Sequence, residues 1–269
     1  MTPDHADRVP SRSIDAALGC LDRRRTVSLQ ELDRVRLLDR AETKVLLPLG
    51  DVTELLQRVA DQYFTLEIDG GYVQRYRTEY FDSHDFSTYH DHHNRLGRRF
   101  KARYRTYVDS GMTFFELKRN VRGRIIKERQ RSSAPFGEIW DSDVAFARRH
   151  GIDLSGFRPS VTVEYDRLLL ARLDPQERVT IDVATSFRRG DRQVVAAGLA
   201  ICEFKQPRVD RSSPAMSACR ELGHRPRSMS KYCTGVATCH VDVKRNRFLP
   251  TFRHLIKLGT RFETNGEHT

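Results

Sequence analysis

The stretch RFKARYRTYVDSGMTFFELKRNVRGRIIKER, residues 99–129, contains three alternating segments joined by two short turns. The turns are VDSGM and NVRG, in which Gly111 and Gly123 are the turn residues. Because successive side chains of a strand point to opposite faces, the alternation predicts three strands in succession. Strands joined by such short turns pair antiparallel. This part of the chain therefore predicts an antiparallel sheet.

Further strand-like segments lie on both sides of this stretch. Together we expect about eight strands, at 39–49, 73–82, 98–108, 112–120, 123–130, 159–170, 177–184 and 193–205. Eight antiparallel strands are enough to close a barrel with a lumen. The predicted fold class is therefore α+β, a mainly antiparallel β-barrel with flanking helices.

Helices are expected between and after these strands. The segment that begins at Asp51, as N-cap, has apolar residues at helical spacing: Val52, Leu55, Leu56 and Val59. A loop with a short helix is expected at 132–151. The C-terminal part predicts helical segments at 214–223, 228–239 and 246–259, the last bent by Pro250. We expect residues 1–33 to be a flexible lead-in, 34–245 to be one domain, and 246–269 to be a C-terminal helix and tail.

Composition narrows the possible partners and the compartment. The chain has 269 residues and a formal net charge of +11, so we expect a polyanionic partner: nucleic acid, an anionic membrane surface or a phosphate-rich small molecule. Five cysteines without a CxxC pair favour a reducing, cytoplasmic setting. The sequence shows neither a signal peptide nor an apolar run long enough to span a membrane. Any membrane association is therefore expected to need a separate membrane-protein partner.

The charges collect on one face of the predicted strands. In KARYRTY the residues Lys101, Arg103 and Arg105 share a face. Charged residues also share a face in five further segments: FFELKR, GRIIKER, VTVEYDR, RVTIDV and LAICEFK. Like charges two residues apart on a strand lie about 6.7 Å apart and repel by roughly 2.5 kcal/mol at an effective dielectric of 20. Repeating this cost along a sheet favours a bound anion that offsets it. A sheet with its charged face in water is the alternative.

If the sheet closes, its basic face lines a tunnel that suits a chain of phosphates. Carboxylates among the basic residues are candidate ligands for a divalent metal, which prefers oxygen ligands and bridges phosphates. The candidates are Glu42, Glu116 and Glu203. For each of them, a salt bridge to a neighbouring Lys or Arg fits the spacing equally well.

Two other groups have metal-binding residue types. His90, His92 and His93 precede the basic strand on a predicted connecting segment, where a solvated or hydrogen-bonded loop is a simpler interpretation than a metal site. Cys233, Cys239 and His240 match no common zinc spacing. We therefore expect no metal at either group.

Between about residues 40 and 240 the chain carries an ordered set of motifs: ETKVLL, YFDSHDFSTYHDHHN, RFKARYRTY, FELKRNVRGRIIKER, VTVEYDRLLL, ERVTIDVATSF, CEFK and SMSKYCTGVA. The set resembles the VTC domain, the catalytic polyphosphate polymerase domain of the vacuolar transporter chaperone. That domain belongs to the triphosphate tunnel metalloenzyme (CYTH-like) superfamily. The resemblance implies a tunnel of antiparallel strands that binds triphosphate or polyphosphate with Mn²⁺ or Mg²⁺.

Carried over by position, the resemblance implies phosphate contacts from eight basic residues: Lys44, Arg103, Arg105, Lys118, Lys127, Arg167, Arg178 and Lys231. It implies that Glu203 is the metal-binding glutamate, beside the candidates Glu42 and Glu116. It implies no organic cofactor. The first-strand signature of the superfamily is E-x-E-x-K, and Arg40 stands here in place of the first Glu, which leaves fewer metal ligands.

The activity implied is polyphosphate synthesis, in which the γ-phosphate of ATP passes to a growing chain and ADP leaves. If water attacks instead, with Glu42 or Glu116 to orient it, the same tunnel is a triphosphatase or polyphosphate hydrolase. A non-catalytic sensor of polyphosphate or nucleotide is a third possibility. A nucleic-acid binder is disfavoured because Tyr104 falls on the face opposite Arg103 and Arg105. The expected partners are therefore ATP and polyphosphate or triphosphate, and the sequence carries no signal for an oligomeric state.

Overall fold

The computed structural model describes residues 19, 25–34, 40–134 and 137–265. The predicted lead-in at 1–33 thus lies outside the described residues, except for 19 and 25–33. The chain forms two compact units. The first unit comprises the described residues of Met1–Val73, Leu168–Ala184 and Gly198–Arg227, and the second comprises those of Gln74–Arg167, Thr185–Ala197 and Ser228–Thr269.

The described residues contain twelve strands: β1 (Thr26–Val27), β2 (Ala41–Pro48), β3 (Phe64–Leu66), β4 (Val73–Asp82), β5 (Arg98–Tyr107), β6 (Met112–Val121), β7 (Arg124–Ser132), β8 (Arg158–Arg172), β9 (Glu177–Arg189), β10 (Arg192–Ala197), β11 (Leu199–Gln206) and β12 (Arg261–Thr264). They also contain seven α-helices: α1 (Leu29–Arg34), α2 (Asp51–Val59), α3 (Ser87–His93), α4 (Asp141–Arg149), α5 (Pro214–Glu221), α6 (Lys231–Cys239) and α7 (Leu249–Lys257). None of these helices is long and apolar enough to span a membrane.

In the first unit the strand order is β2-β11-β9-β8-β3-β1. The β2–β11, β11–β9 and β8–β3 pairs are antiparallel, and the two-residue strand β1 pairs parallel with β3. One face of β2, β11 and β9 packs on α2 and α5 around Val45, Phe204 and Ile181. The four apolar residues of α2, Val52, Leu55, Leu56 and Val59, are buried in this core, and each contributes roughly 1.5–3 kcal/mol. The opposite face of the three strands carries the charged residues.

In the second unit the strand order is β12-β10-β9-β8-β4-β5-β6-β7, to which β8 and β9 contribute the parts that lie in this unit. The β4–β5, β5–β6 and β6–β7 pairs are antiparallel, as are β9–β10 and β10–β12. Alternate residues of β4, β5 and β6 form a core with α4 around Phe81, Tyr104 and Phe115. The other face of β5 and β6 carries Lys101, Arg103, Arg105, Glu116 and Lys118, and that of β4 carries Tyr76 and Tyr80.

Helix α6 packs very closely on the sheet of the second unit. A Cβ atom at Gly235 would lie 2.7 Å from a ring carbon of Phe187 and 3.0 Å from a methyl group of Val161. The Ser230 side chain caps the helix by accepting a hydrogen bond from the Cys233 N–H at 3.2 Å. Glycine at 235 therefore allows the middle of α6 to lie this close to the sheet.

The α+β class and the mainly antiparallel pairing are confirmed, and several predicted details are wrong. The predicted strand at 193–205 is two strands, because Gly198 adopts a positive φ of 78° and turns the chain between β10 and β11. Asp51 is the first residue of α2 and not its N-cap, and its carboxylate lies 2.7 Å from His224. The predicted helical segment at 246–259 is a short 3₁₀ helix, Asn246–Phe248, followed by α7, and Pro250 falls in the first turn of α7, where its missing N–H costs nothing.

The three histidines before β5 lie on helix α3 and not on a loop. The helix is short, and its start depends on Asp82, which accepts hydrogen bonds from the N–H groups of Thr88 at 2.9 Å and Tyr89 at 3.0 Å. Strands β1, β3 and β12, with two to four residues each, were not predicted, because such short segments show no measurable alternation.

Candidate functional site

A buried carboxylate, Glu116 of β6, lies among three cations in the second unit. Its side chain is 1% exposed and lies 2.6 Å from Arg103, 2.6 Å from Lys127 and 3.7 Å from Arg105. The register explains the grouping, since Arg103 of β5 is directly opposite Glu116 and Lys127 of β7 is a diagonal neighbour. We call these four residues the Glu116 cluster. One negative charge there meets three positive charges.

The charges of the cluster shift each other's pKa values. Burial by itself would raise the pKa of Glu116, but Arg105, Arg103 and Lys127 outweigh it and hold that pKa well below its usual value. Burial, helped by the charges of Arg105 and Arg103, lowers the pKa of Lys127 to about 7 against the attraction of Glu116. The Lys127 side chain is 34% exposed, so water offsets part of this effect. An anion bound beside Lys127 would raise its pKa again and restore its charge.

The two arginines of the cluster are held differently. Arg103 is 13% exposed, donates to Glu116 through Nε at 2.8 Å and to the Tyr80 hydroxyl through Nη1 at 2.9 Å. Arg105 is 12% exposed, and its buried Nε has no hydrogen-bond partner among the described residues. Arg103 is therefore tied to the protein, whereas Arg105 presents a buried donor that calls for an acceptor.

Tyrosine rings lie against the cations of the second unit. Tyr76 and Tyr165 stack with centroids 5.2 Å apart and ring planes 3° apart, and we call them the tyrosine pair. The Arg167 guanidinium lies 4.9 Å from the Tyr76 centroid, and Arg105 lies 5.8 Å from it. The Lys231 amino group lies 4.4 Å from the Tyr165 centroid. The sequence prediction missed these rings, although the alternation of QRYRTEY places Tyr76 on one face of β4.

Lys118 and Lys231 are the remaining predicted lysines of the second unit. Lys101, Lys118 and Lys127 stand opposite one another on β5, β6 and β7 and so form a row across the sheet. Lys101 donates to the Ser230 hydroxyl at 2.8 Å, next to the start of α6. Lys231 is the first residue of that helix.

The predicted site residues of the first unit share the charged face of β2, β11 and β9. Lys44 is opposite Glu203, and the two side chains are 3.3 Å apart. Glu42 is opposite Lys205 and lies 3.3 Å from Arg40, while Arg178 is opposite Lys205 on the other side. The Arg178 guanidinium also donates to the Leu32 carbonyl. The structure thus brings Glu42, Lys44, Arg178 and Glu203 together on one sheet face.

The histidines of α3 serve the packing of the second unit. Burial, helped by the charges of Lys101 and Arg99, lowers the pKa of His92 to about 2, so this imidazole is neutral. His93 lies 2.7 Å from the Asn246 side-chain oxygen. Within the described part of the chain, no group of three or more His, Cys, Asp and Glu side chains is arranged to hold a metal ion.

The model of the VTC domain matches residues 39–136 and 149–240, which is most of the chain. The chain belongs to the VTC domain family. The resemblance to the VTC domain that the motifs carry is thereby confirmed. No curated protein matches the sequence.

Several solved structures are similar to this VTC domain protein. One of them is a proposed adenylyl cyclase from Hippeastrum, HpAC1, for which a dominant triphosphatase activity is described. Its sequence identity to this protein is 11%, the match covers 76% of this chain and 98% of the HpAC1 chain, and the TM-score is 0.48. A proposed adenylate cyclase from Bacillus halodurans has 17% identity, coverage of 78% and 97%, and a TM-score of 0.43. A proposed adenylate cyclase from Vibrio parahaemolyticus has 12% identity, coverage of 73% and 98%, and a TM-score of 0.41.

The carboxylates of the VTC domain differ in how well they fit a divalent metal. Mg²⁺ is usually held by one or two carboxylates together with phosphate oxygens of the substrate. Glu42 and Glu203 are diagonal neighbours on one face, and the buried Thr180 hydroxyl opposite Glu203 has no hydrogen-bond partner among the described residues. These oxygen donors fit such an ion. Glu116 does not, because its two oxygens already face cations.

Proposed function

We propose that the protein is a metal-dependent polyphosphate polymerase, which transfers the γ-phosphate of ATP to a growing polyphosphate chain. The observation that carries the proposal is the Glu116 cluster, where three cations meet one carboxylate and the Arg105 Nε is buried without a partner. An excess of buried positive charge is costly unless a polyanion binds to it. The VTC domain family is enzymatic, which favours a catalysed reaction over mere binding.

The residues of the Glu116 cluster take different roles in this proposal. Arg105 donates to phosphate oxygens, and each such charge-assisted bond contributes about 1.5–3 kcal/mol. Glu116 anchors Arg103 and Lys127 in place, and we propose this role for it instead of metal binding or water activation. Arg167 and Lys231, which lie on the tyrosine pair, add positive charge for the same kind of ligand. The lysine row that contains Lys118 and the first-unit residues Lys44 and Arg178 are proposed as further phosphate contacts.

Glu203 and Glu42 would hold the Mn²⁺ or Mg²⁺ ion. A bound divalent ion supplies charge neutralisation at phosphate oxygens. Lys44 keeps the Glu203 carboxylate in place through its ion pair. No general base is needed for chain growth, because the attacking phosphate is already anionic.

Hydrolysis of a triphosphate and binding without turnover are the competing outcomes on the same residues. A nucleic-acid ligand is disfavoured by the rings, since bases need open ring faces for stacking. Tyr165 and Tyr80 are buried, and Tyr76 is covered by Tyr165 and the guanidinium of Arg167. We therefore propose ATP and polyphosphate as partners and no nucleic acid.

We also propose where in the cell the protein acts and which part of the chain is the catalytic domain. A cytoplasmic location, with any membrane coupling supplied by a separate membrane protein, is consistent with the reducing setting that the cysteines favour. We propose 34–245 as the catalytic domain, with 1–33 and 246–269 as flanking segments. Strand β12, in the last segment, pairs with β10, so its removal would leave a strand edge uncovered.

One incubation tests the activity. The protein is mixed with γ-labelled ATP and Mn²⁺, and the products are separated on a gel beside Glu203→Gln. The control variant is Glu54→Gln, which changes an exposed glutamate of α2 that is paired with Arg58. A labelled ladder from wild type and the control, but not from Glu203→Gln, supports the polymerase. Free orthophosphate without a ladder makes the protein a hydrolase, and no turnover with a rise in melting temperature on adding polyphosphate makes it a sensor.

A further inference from the structure

Five cations of the second unit share a feature that ion pairing does not explain, since each of them lies against a tyrosine ring. Arg105 and Arg167 lie on Tyr76, with centroid distances of 5.8 and 4.9 Å. Three other contacts have the same form: Lys231 on Tyr165, Arg103 on Tyr80 and Lys101 on Tyr232, at 4.4, 5.6 and 5.6 Å. Tyr76 contacts both Arg105 and Arg167, and Arg167 also lies over Tyr165, at 5.1 Å.

We propose that Tyr76 is a positioning residue, which orients the phosphate-binding Arg105 and Arg167 through the face of its ring. The inference rests on the proposed function, because it assigns these arginines to a phosphate ligand. It adds to that function the residue that holds these two arginines in position for the phosphate.

The ring of Tyr76 is well suited to hold other groups in place, because its own plane is constrained. It stacks on Tyr165 at 5.2 Å, and Tyr107, its partner in the β4–β5 register, contacts it at 5.0 Å with a tilt of 53°. A rigid ring attracts a guanidinium through its quadrupole and fixes the position of that group. Arg105 needs such support, because it lies 3.7 Å from Glu116 and its Nε has no hydrogen-bond partner among the described residues.

A ring and a carboxylate hold an arginine with different consequences for a ligand. A carboxylate takes up N–H donors and cancels charge, as Glu116 does for Arg103. The face of a neutral ring carries no counter-charge and no oxygen acceptor, so it attracts a guanidinium without cancelling its charge. Tyr76 therefore keeps Arg105 ordered and still able to donate to a phosphate.

The test measures tripolyphosphate binding by calorimetry for the full chain and three variants of Tyr76. Tyr76→Phe keeps the ring, Tyr76→Leu removes it, and Tyr76→Met removes it while keeping more volume. We expect Tyr76→Phe to bind within about twofold of wild type, and the two ringless variants to bind about tenfold more weakly. Thermal melts check that each variant folds.

The matched control is Phe146→Leu, which removes a core ring that also has an arginine, Arg149, over it at 5.7 Å but lies on α4. We expect it to lower the melting temperature and leave the affinity unchanged. A double-mutant cycle separates positioning from general loosening: Tyr76→Leu should weaken binding much less when Arg105 and Arg167 are already Gln.

The outcomes distinguish the two proposals. If wild type binds no tripolyphosphate, the proposed function fails. If wild type binds it and a folded Tyr76→Leu or Tyr76→Met binds as tightly, the proposed function stands and the positioning role is wrong. If Tyr76→Phe is as weak as Tyr76→Leu, the ring face is not the cause and the positioning role is again wrong.

Discussion

Replacing Glu116 by Gln tests whether this carboxylate is the anchor of the cations. The change keeps the shape of the side chain and removes the charge that Arg103, Arg105 and Lys127 share. Removing one partner of a buried ionic group typically costs about 3–5 kcal/mol, because the other charges stay buried without compensation. For a chain of 269 residues, 1 kcal/mol corresponds to about 2 °C in melting temperature. We therefore expect the melting temperature to fall by about 6–10 °C.

Binding should change in the opposite direction. Arg103 keeps its contact with Tyr80 and Arg105 keeps its contact with Tyr76, so the variant presents ordered cations without their counter-charge. We expect tripolyphosphate to raise the melting temperature of Glu116→Gln by more degrees than it raises that of wild type. Differential scanning fluorimetry with and without tripolyphosphate, in metal-free buffer and with Mn²⁺, measures both effects.

The pH dependence gives a second readout of the same group. Since the folded pKa of Glu116 lies well below the ordinary value of 4.5, the stabilisation by this carboxylate is fully present above about pH 4.5. It is lost as the pH falls from there through the folded pKa, because the proton binds the unfolded chain more tightly. The stability difference between wild type and Glu116→Gln should therefore be largest between about pH 4.5 and 7, decrease above pH 7 as Lys127 loses its charge, and shrink in acid.

The control is Glu128→Gln on the neighbouring strand β7. Glu128 pairs with Arg119, and at 17% exposure its side chain is less buried than that of Glu116. We expect a loss of about 1 kcal/mol or less there. An unchanged melting temperature in Glu116→Gln would refute the anchoring role. A loss of Mn²⁺-dependent binding with metal-free binding intact would instead make Glu116 a metal ligand.

Three further predictions concern other parts of the second unit. Gly235→Ala should lower the free energy of unfolding, measured in urea, by about 1–3 kcal/mol, because the new methyl group would lie 2.7 Å from Phe187. A gain in stability, as expected for alanine at an open helix position, would contradict the close packing. The pKa of His92 is about 2 in the folded protein and 6.5 in the unfolded chain, so the neutral imidazole stabilises the fold above pH 6.5. About 2 kcal/mol of this stabilisation should be lost by pH 5, because the unfolded chain binds the proton and the folded protein does not. Urea unfolding at pH 7 and 5 should show the loss in wild type but not in His92→Gln. Arg105→Gln should weaken tripolyphosphate binding about 10- to 100-fold in calorimetry, whereas Arg119→Gln should leave the affinity within twofold of wild type. Equal effects of the two substitutions would mean that the binding responds only to net charge.

The strands of the second unit show how far the pattern of residues can be read. The alternation in β5 and β6 predicted which residues share a face, and the short turns predicted which strands are neighbours. The grouping of Lys127 with Glu116 depends in addition on the register of β6 and β7, which shifts every diagonal contact if it slips by one residue. The three-cation cluster was therefore foreseen as a basic face but not as a set of contacts.

Helix α3 and the tyrosine pair show where local reading stops. The segment YHDHHN has no apolar periodicity, and its helix begins where buried Asp82 accepts two N–H bonds, a condition that arises only when the sheet has formed. Tyr76 and Tyr165 lie on strands far apart in the sequence and meet only because β4 and β8 are neighbours in the sheet.

The order of the charges along each strand is a local property, because side chains alternate with a period of two whatever the partner strand. That order, with the motif set, was sufficient to establish the α+β class, the VTC domain family and the basic character of the strand faces. The role of each carboxylate, whether it pairs with arginines or is placed to bind a metal, depends on the residues that surround it in the folded protein. Electrostatic energy falls with distance and grows with burial, and both quantities exist only in the folded sheet.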